Sequence, residues 1–338
     1  MTTGRYSAPR TRSLRALPKA HLHLHFEAAV RRSVLSAATH GLGELPPVRH
    51  GAGFDGFAET YLAMIDFLAA PGMFDVAFDA AARDAAEEGV VYVELAVSPH
   101  FYTSAYGSAY AALEAMARAA ETATAEHEVH IGLMLTIDRT LPPAAAEEVV
   151  DLALAFSSRG VVSVGAANDE RDHPLSPFTS AFRRASDAGL TVAPHAGELV
   201  GPDSVRDALS VGATRIQHGV RAIEDNDLVA ELAARDICLD VCPTSNVLLG
   251  VVPEVEQHPL SALLDANVPC TLNADDPTIL GVSILDEYKT ARTTLALSDE
   301  KLAQCARTSI RFAPLDDDTK AHALAAIDCW LGAAEENS

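Results

Sequence analysis

The chain has 338 residues, 49% of them apolar and 21% charged, and its 47 acidic against 25 basic residues leave a formal net charge of −22. That length and apolar content support a sizeable core, in two ordinary domains or one large α/β barrel, and exclude general disorder. A charge of this sign excludes nucleic acid, an anionic membrane or a large polyanion as the main partner and leaves neutral or cationic small molecules open.

In chain order, residues 1–14 are basic with no apolar run behind them, which reads as a flexible tail before a single domain over 15–335, not as a secretory signal. β-rich runs then recur: KAHLHLHFE (19–27), VVYVELAVSP (90–99), HIGLMLTIDR (130–139) and VVSVGAAND (161–169). They continue with LTVAPHAGE (190–198), TRIQHGV (214–220), ICLDVCPTSN (237–246) and PCTLNADDP (269–277). Several are apolar on both faces, as strands between a core and a helix layer should be. Helical patterns fill the gaps. One follows the third run, opening on Pro and closing on Gly160, with Val149, Leu152, Ala153 and Phe156 on one face. Another follows the sixth run, opening on acidic residues and Asn226. Strand–helix alternation repeated eight times predicts a (β/α)8 TIM barrel with extra helices after the first strand and at the C-terminus. An open doubly wound sheet is the competing architecture, disfavoured because no Gly-rich phosphate loop follows an early strand.

The five cysteines (Cys238, Cys242, Cys270, Cys305, Cys329) are odd in number, scattered and without a CxxC pair, so a reduced, cytoplasmic, soluble protein is expected. No stretch reaches the roughly eighteen apolar residues of a membrane helix. Cys238 and Cys242 share one strand, where a core role is favoured over metal binding.

Chemistry concentrates where the apolar runs end: His23 and His25, His195 with Glu198, His218, and Asp275 with Asp276. In a barrel these ends converge on one mouth. Residues two apart on a strand face the same side, so His23 and His25 point inward together and offer half of a metal site. His195 and Asp275 complete a nitrogen/oxygen set that suits zinc, one ion per chain. Against this stand solvated or core histidines, a reading that the further ligand types at other strand ends weaken. Glu198 is a candidate general acid/base and competes with a plain first-turn Glu. His218 is a candidate to hold or deprotonate a metal-bound water and competes with a core histidine. Of the two adjacent carboxylates, one can bind metal and the other a ligand, against surface turn acids. Together they describe metal-assisted hydrolysis with the substrate open.

The motifs PKAHLHLHFE, APHAGE, IQHG with CPTSN, and LNADDP, in this order, resemble the adenosine deaminase family of the amidohydrolase superfamily over residues 15 to about 330. The resemblance implies one zinc on His23, His25, His195 and Asp275, with a small-molecule purine as partner. Glu198 would donate a proton to purine N1, His218 would orient and help activate a zinc-bound hydroxide, and Asp276 would accept a hydrogen bond involving N7. Glu27 matches a position that contacts the sugar, and Asn168 stands where a Gly offers its N–H to the ring. The reaction implied is hydrolytic loss of the 6-amino group of an adenosine-like nucleoside, or of a related aminopurine such as adenine, an aminodeoxyfutalosine-like conjugate or an N6-substituted purine. The chain departs from the usual pattern at His21, Phe26, Ala28, Ala96 and Asn168. None is a metal ligand, so the departures bear on substrate.

Three other classes are considered. A two-metal amidohydrolase would want a Lys on the fourth strand, which VVSVGAAND lacks, and a cytidine-deaminase site would want PCxxC, where the chain has PCTL. A non-enzymatic relative would lack ligands, and all are present. Phe54, Phe57, Tyr61 and Phe67 in the first insertion read equally as core or as a lid. His100, Tyr102, Tyr106 and Tyr110 are candidates to line the mouth, and Asp316–Asp318 reads as a solvated loop or helix start.

Overall fold

The computed structural model describes residues 12–30 and 53–333, with residues 53–59 described by backbone alone. Parallel strands β1 (Lys19–His25), β2 (Val90–Val97), β3 (His130–Asp138), β4 (Val161–Ala167) and β5 (Thr191–Val192) form one ladder. A second holds β6 (His195–Ala196), β7 (Arg215–His218), β8 (Cys238–Val241) and β9 (Cys270–Leu272). Eight staves stand where eight runs are expected, because β5 and β6 are one stave interrupted at Pro194, which has no N–H for a ladder. That stave still serves both neighbours: Ala193 N–H donates to Val164 O (3.0 Å) and Gln217 N–H to Pro194 O (3.0 Å). The circle closes where His25 N–H donates to Asp275 O (3.0 Å) and Asp275 N–H to His23 O (3.2 Å). This is the expected (β/α)8 barrel.

Each helix starts where its local chemistry dictates. Pro143–Ala155 has Pro at its first turn, and Asp225 caps Asn226–Ala234 by accepting the N–H groups of Asp227 and Leu228. At the C-terminus, Ser283, Ser298 and Asp316 cap Ile284–Thr293, Asp299–Phe312 and Asp317–Gly332, so the acidic run at 316–318 is a helix start. Asp299–Phe312 packs beneath β1, where Ser309 Oγ accepts the Ala20 N–H (2.8 Å). The expected tail lies outside the described residues up to residue 11. Its last three residues instead belong to the packed body, since Arg12 bonds Asp299 (2.8 Å) and Leu331 O (2.9 Å) and Leu14 is buried. Among the described residues no single helix is long and apolar enough to cross a membrane.

The first insertion contributes the helices Gly53–Leu68 and Met73–Glu87. Met64 and Leu68, four apart, are fully buried, while Tyr61, Leu62 and Ile65 face a cavity above the barrel, so this helix is core on one side and lid on the other. Phe54 and Phe57 lie outside the described side chains.

Toward the N-terminal ends of the strands the barrel interior holds a network in which the charged groups are paired. Arg215 donates to Asp240 Oδ2 (2.9 Å), to both oxygens of Glu94 (3.0 Å each) and to Leu22 O (2.9 Å). Ser163 and Tyr92 hydroxyls also donate to Glu94, and Thr271 donates to Asp240 Oδ1. All of these side chains are buried, and their polar atoms are paired, as low dielectric demands. Lys19 closes the bottom, donating to Glu88 O (2.6 Å) and Leu14 O (3.1 Å).

Candidate active site

The first inward histidine is placed by a defect. Between His21 and Leu24, β1 carries one residue more than the facing stretch Val93–Leu95 of β2, a β-bulge. Asn273 Oδ1 takes up the bulge, accepting both the Leu22 N–H (2.8 Å) and the His23 N–H (3.2 Å). His21 thereby stays outside the barrel with Leu24, where its Nε2 accepts the Ala274 N–H (3.0 Å), and that departure from the family pattern is structural. His23 and His25 turn inward together, as their spacing predicts.

They meet His195 and Asp275. His23 Nε2 and His25 Nε2 each lie 3.2 Å from His195 Nε2, and 3.1 and 3.3 Å from Asp275 Oδ1. Two of the rings have a settled tautomer, because His23 Nδ1–H donates to Asp240 O (3.1 Å) and His195 Nδ1–H to Ala166 O (2.9 Å). Their Nε2 atoms therefore present lone pairs to each other and to a carboxylate, an arrangement that is repulsive without a cation. A tetrahedral zinc with Zn–N near 2.05 Å spaces its ligand atoms by about 3.3 Å, which these separations match. The surrounding imidazoles hold the Asp275 carboxyl well below the usual range against the opposing effect of its burial, so it is ionised and ready to bind a metal.

Glu198 lies beside this cluster on the turn after His195. Burial, and then the charges of Asp275, Glu170 and Asp276, push its carboxyl well above the usual range, which favours its protonated form. Its buried Oε1 has no hydrogen-bond partner, and the His218 Nε2 lies 3.4 Å away. The turn is clamped from two sides by residues that sequence reasoning missed. Glu170 accepts four successive backbone N–H groups, those of Gly197, Glu198, Leu199 and Val200, at 2.6–3.1 Å. Arg139 donates to His195 O (3.0 Å). The visible signal for Glu170 is its place at the end of VGAANDE, one residue beyond the fourth strand run.

His218 and Asp275 adopt left-handed backbone, φ 64° and 61°, which costs roughly 1–2 kcal/mol each and re-aims both side chains from their strand ends into the mouth. Asp276 is buried, its Oδ1 has no partner, and burial together with Asp275 pushes its carboxyl well above the usual range. Asn168 takes φ 81°, the conformation that Gly would supply at this position, and its amide donates to the Asp138 carboxylate (3.1 and 3.2 Å).

These groups line one cavity of about 580 Å3, within the range of small-molecule sites. His25, His195, Glu198, His218, Asp275 and Asp276 form its polar end; Leu62, Phe101 and Leu141 form an apolar rim. Ala96 and Asn168 reach the cavity too, so two of the departures lie on its wall. Glu27 does not reach it. Its carboxylate is buried and accepts from Tyr61 (2.6 Å) and Tyr102 (3.0 Å), so in this structure it anchors the lid helix. Of the four residues expected at the mouth after β2, only His100 lines it. Tyr102 is turned onto Glu27, Tyr106 stacks on Phe74 and Tyr110 packs on Phe156. Cys238 and Cys242 are buried core thiols, as expected, although Cys242 Sγ lies 3.4 Å from His23 Nδ1.

Comparison with known proteins follows the same pattern. Residues 18–330 match the adenosine deaminase family. An adenine deaminase of Sinorhizobium medicae is 37% identical over 318 residues, covering 92% of this chain and 98% of that protein. The crystal structure of an adenine deaminase from Arthrobacter aurescens superposes with a TM-score of 0.85 at 30% identity, covering 94% of this chain and 99% of that one. An amidohydrolase from Burkhoderia ambifaria, crystallised with bound Zn, superposes with a TM-score of 0.84 at 26% identity over 94% and 93%.

Proposed function

This chain belongs to the adenosine deaminase family, and we propose that it is a single-zinc hydrolase whose preferred substrate is adenine or another small, uncharged 6-aminopurine. Deamination of an adenine- or adenosine-like purine by a metal-dependent hydrolase is the activity that membership carries. One observation supports the hydrolytic reading above the others: Glu198 with an unpaired Oε1 and Asp276 with an unpaired Oδ1 lie beside four converging metal-ligand atoms at the end of one cavity.

His23, His25, His195 and Asp275 would hold the ion. A zinc bound there would lower the pKa of a bound water toward about 7 and supply the nucleophile. Glu198 delivers its proton to a ring nitrogen and so makes the carbon bearing the amino group more electrophilic. Asp276, whose carboxyl burial and Asp275 push above the usual range, would form the hydrogen bond to a second ring nitrogen. Asn168 offers a backbone N–H to the base edge, and His218 orients the attacking oxygen.

Two features favour the free base and exclude anionic purines. Both oxygens of Glu27 are engaged by tyrosines, so at the position where the family meets a sugar the carboxylate is already anchored within the protein. Among the described residues, no Lys or Arg lines the cavity, while Asp138 and Glu148 do, so a phosphate or a carboxylate would meet repulsion. Ammonia release from adenine, adenosine, deoxyadenosine and AMP, with zinc determined on the same preparation, tests this. Adenine should give the highest kcat/KM and AMP none. A tenfold preference for adenosine would establish the nucleoside reading instead, and absence of zinc from the active protein would overturn the metal assignment.

A further inference from the structure

His218 differs from the ligand histidines in which nitrogen carries its proton, and the cause lies two residues away from the site. The chain of contacts begins at the backbone N–H of Leu260, a group that can only donate, which meets His258 Nδ1 at 3.2 Å. Nδ1 of His258 is thus an acceptor, and a doubly protonated ring is excluded because two N–H groups would then face each other. The proton of this ring sits on Nε2, which meets the Asn246 amide at 3.1 Å. The atom of Asn246 receiving it has to be Oδ1, since the flipped amide would set NH2 against N–H. Asn246 Nδ2 then faces His218 Nδ1 at 3.1 Å and donates to it. With Nδ1 accepting, neutral His218 carries its proton on Nε2, which points toward Glu198 Oε1 (3.4 Å) and Asp275 Oδ2 (3.7 Å). Asn246, His258 and His218 are all buried, so water does not compete for these contacts. The Asn246 backbone is held as well, its carbonyl accepting the N–H groups of Val251 (2.8 Å) and Val252 (3.0 Å).

We propose that Asn246 and His258 are positioning residues that lock His218 as its Nε2–H tautomer, so that His218 serves the site as a hydrogen-bond donor and not as a proton acceptor. The polarity is the reverse of that in His23 and His195, whose Nδ1–H groups donate to carbonyls and whose Nε2 atoms are left as lone pairs. One fold thus sorts imidazoles packed within a single cluster into ligands and a donor by what their far nitrogens meet. In the hydrolysis proposed above, His218 holds the attacking oxygen through a lone pair of that oxygen and takes no proton from it. The inference rests on that reading only for this kinetic consequence; the tautomer itself does not depend on it.

The test is long-range 1H–15N correlation spectroscopy on full-length protein labelled with 15N-histidine, with zinc added, and with His218→Gln to assign the His218 signals. Wild type should show a protonated Nε2 and an unprotonated Nδ1 for His218. Asn246→Asp, whose carboxylate accepts from both rings, should move the proton to Nδ1 and lower kcat on adenine by about 10–100-fold with KM unchanged. His258→Gln keeps an acceptor for Leu260 and a donor for Asn246, so it should preserve the tautomer, whereas His258→Phe should leave His218 in a mixture. A wild-type His218 protonated on Nδ1, or a tautomer indifferent to Asn246→Asp and His258→Phe alike, would overturn the proposal. The protonated nitrogen is read from the spectra even if adenine proves not to be the substrate.

Discussion

The barrel buries two polar layers, one at its floor and one at its mouth, and they are built on opposite rules. At the floor, one cation lies between two carboxylates, and each oxygen of Glu94 and Asp240 accepts at least one hydrogen bond. At the mouth, three imidazoles, two of them fixed as acceptors, converge with a carboxylate, and neighbouring carboxyls keep oxygens without partners. The floor is complete without any added group. The mouth is complete only with a cation and a polar ligand, so the two layers separate structural from functional polarity within one barrel. The same contrast appears in the backbone: among the described residues, three of the cavity-lining residues, Asn168, His218 and Asp275, are non-glycine positions with positive φ, and no floor residue is.

Changes at the mouth should break chemistry and spare the fold. Asp275→Ala removes the carboxylate of the ligand set and is expected to abolish zinc binding and deamination together, to below about a thousandth of wild type. Elemental analysis and ammonia release on one preparation check it, and an active, metal-free variant would contradict the site. Glu198→Gln should retain zinc and lose turnover by about 10²–10⁴-fold, because proton delivery is removed while the side-chain shape is kept. Turnover that also falls in wild type as pH rises through the raised Glu198 carboxyl would carry the same meaning.

At the floor the order reverses. Arg215→Met leaves Glu94 and Asp240 buried without their cation and should cost about 3–5 kcal/mol by chemical denaturation. Adding Glu94→Gln and Asp240→Asn should recover part of that loss, because the orphaned charges go with the arginine. An unaffected midpoint in the single variant would mean that the network is not integral to stability. Lys19 gives a gentler probe of the same layer. Burial lowers its pKa from 10.5 to about 7, so between these values the folded lysine is neutral while the unfolded one holds a proton. The unfolded state then binds more protons, and stability from this group rises with pH across about 7 to 10.5, by up to about 1.4 kcal/mol per unit. Lys19→Met should flatten that slope relative to wild type; a slope shared by both proteins would assign it elsewhere.

The two layers also differ in how far the sequence discloses them. His23, His25, His195, His218 and Asp275 are legible because strand alternation and the convergence of strand ends require no knowledge of partners. The floor is hidden, since Glu94 and Asp240 lie 121 and 25 residues from Arg215 and all three look like isolated charges in apolar runs. The setting of Glu27 is hidden for the same reason: Tyr61 and Tyr102, 34 and 75 residues away, decide where its carboxylate goes. The bulge at Leu22–His23 depends on Asn273, 250 residues on, and the clamp of Glu170 acts on backbone groups that carry no sequence signature.

Asn168 sits between these cases, and its replacement by Gly is the finest test of the division. The expected requirement there is for a backbone N–H in a conformation that Gly reaches freely, and the Asn reaches it at φ 81°. Relief of that strain should stabilise the variant by about 1 kcal/mol. Against it stands the loss of the amide bonds to Asp138 and of the Asn168 Oδ1 that accepts the Asp169 N–H, all at an exposed site where such bonds contribute about as much. Stability should therefore stay within about 1 kcal/mol of wild type. What changes is the cavity wall, because Asp138 keeps the Thr140 N–H and hydroxyl on Oδ1 but loses the Asn168 amide from Oδ2, which is freed toward the ligand. The ratio of kcat/KM for adenine and adenosine is expected to shift several-fold with zinc content constant. A shifted ratio at unchanged stability would place Asn168 among the residues that choose the substrate, and an unchanged ratio would make its left-handed backbone a purely structural solution.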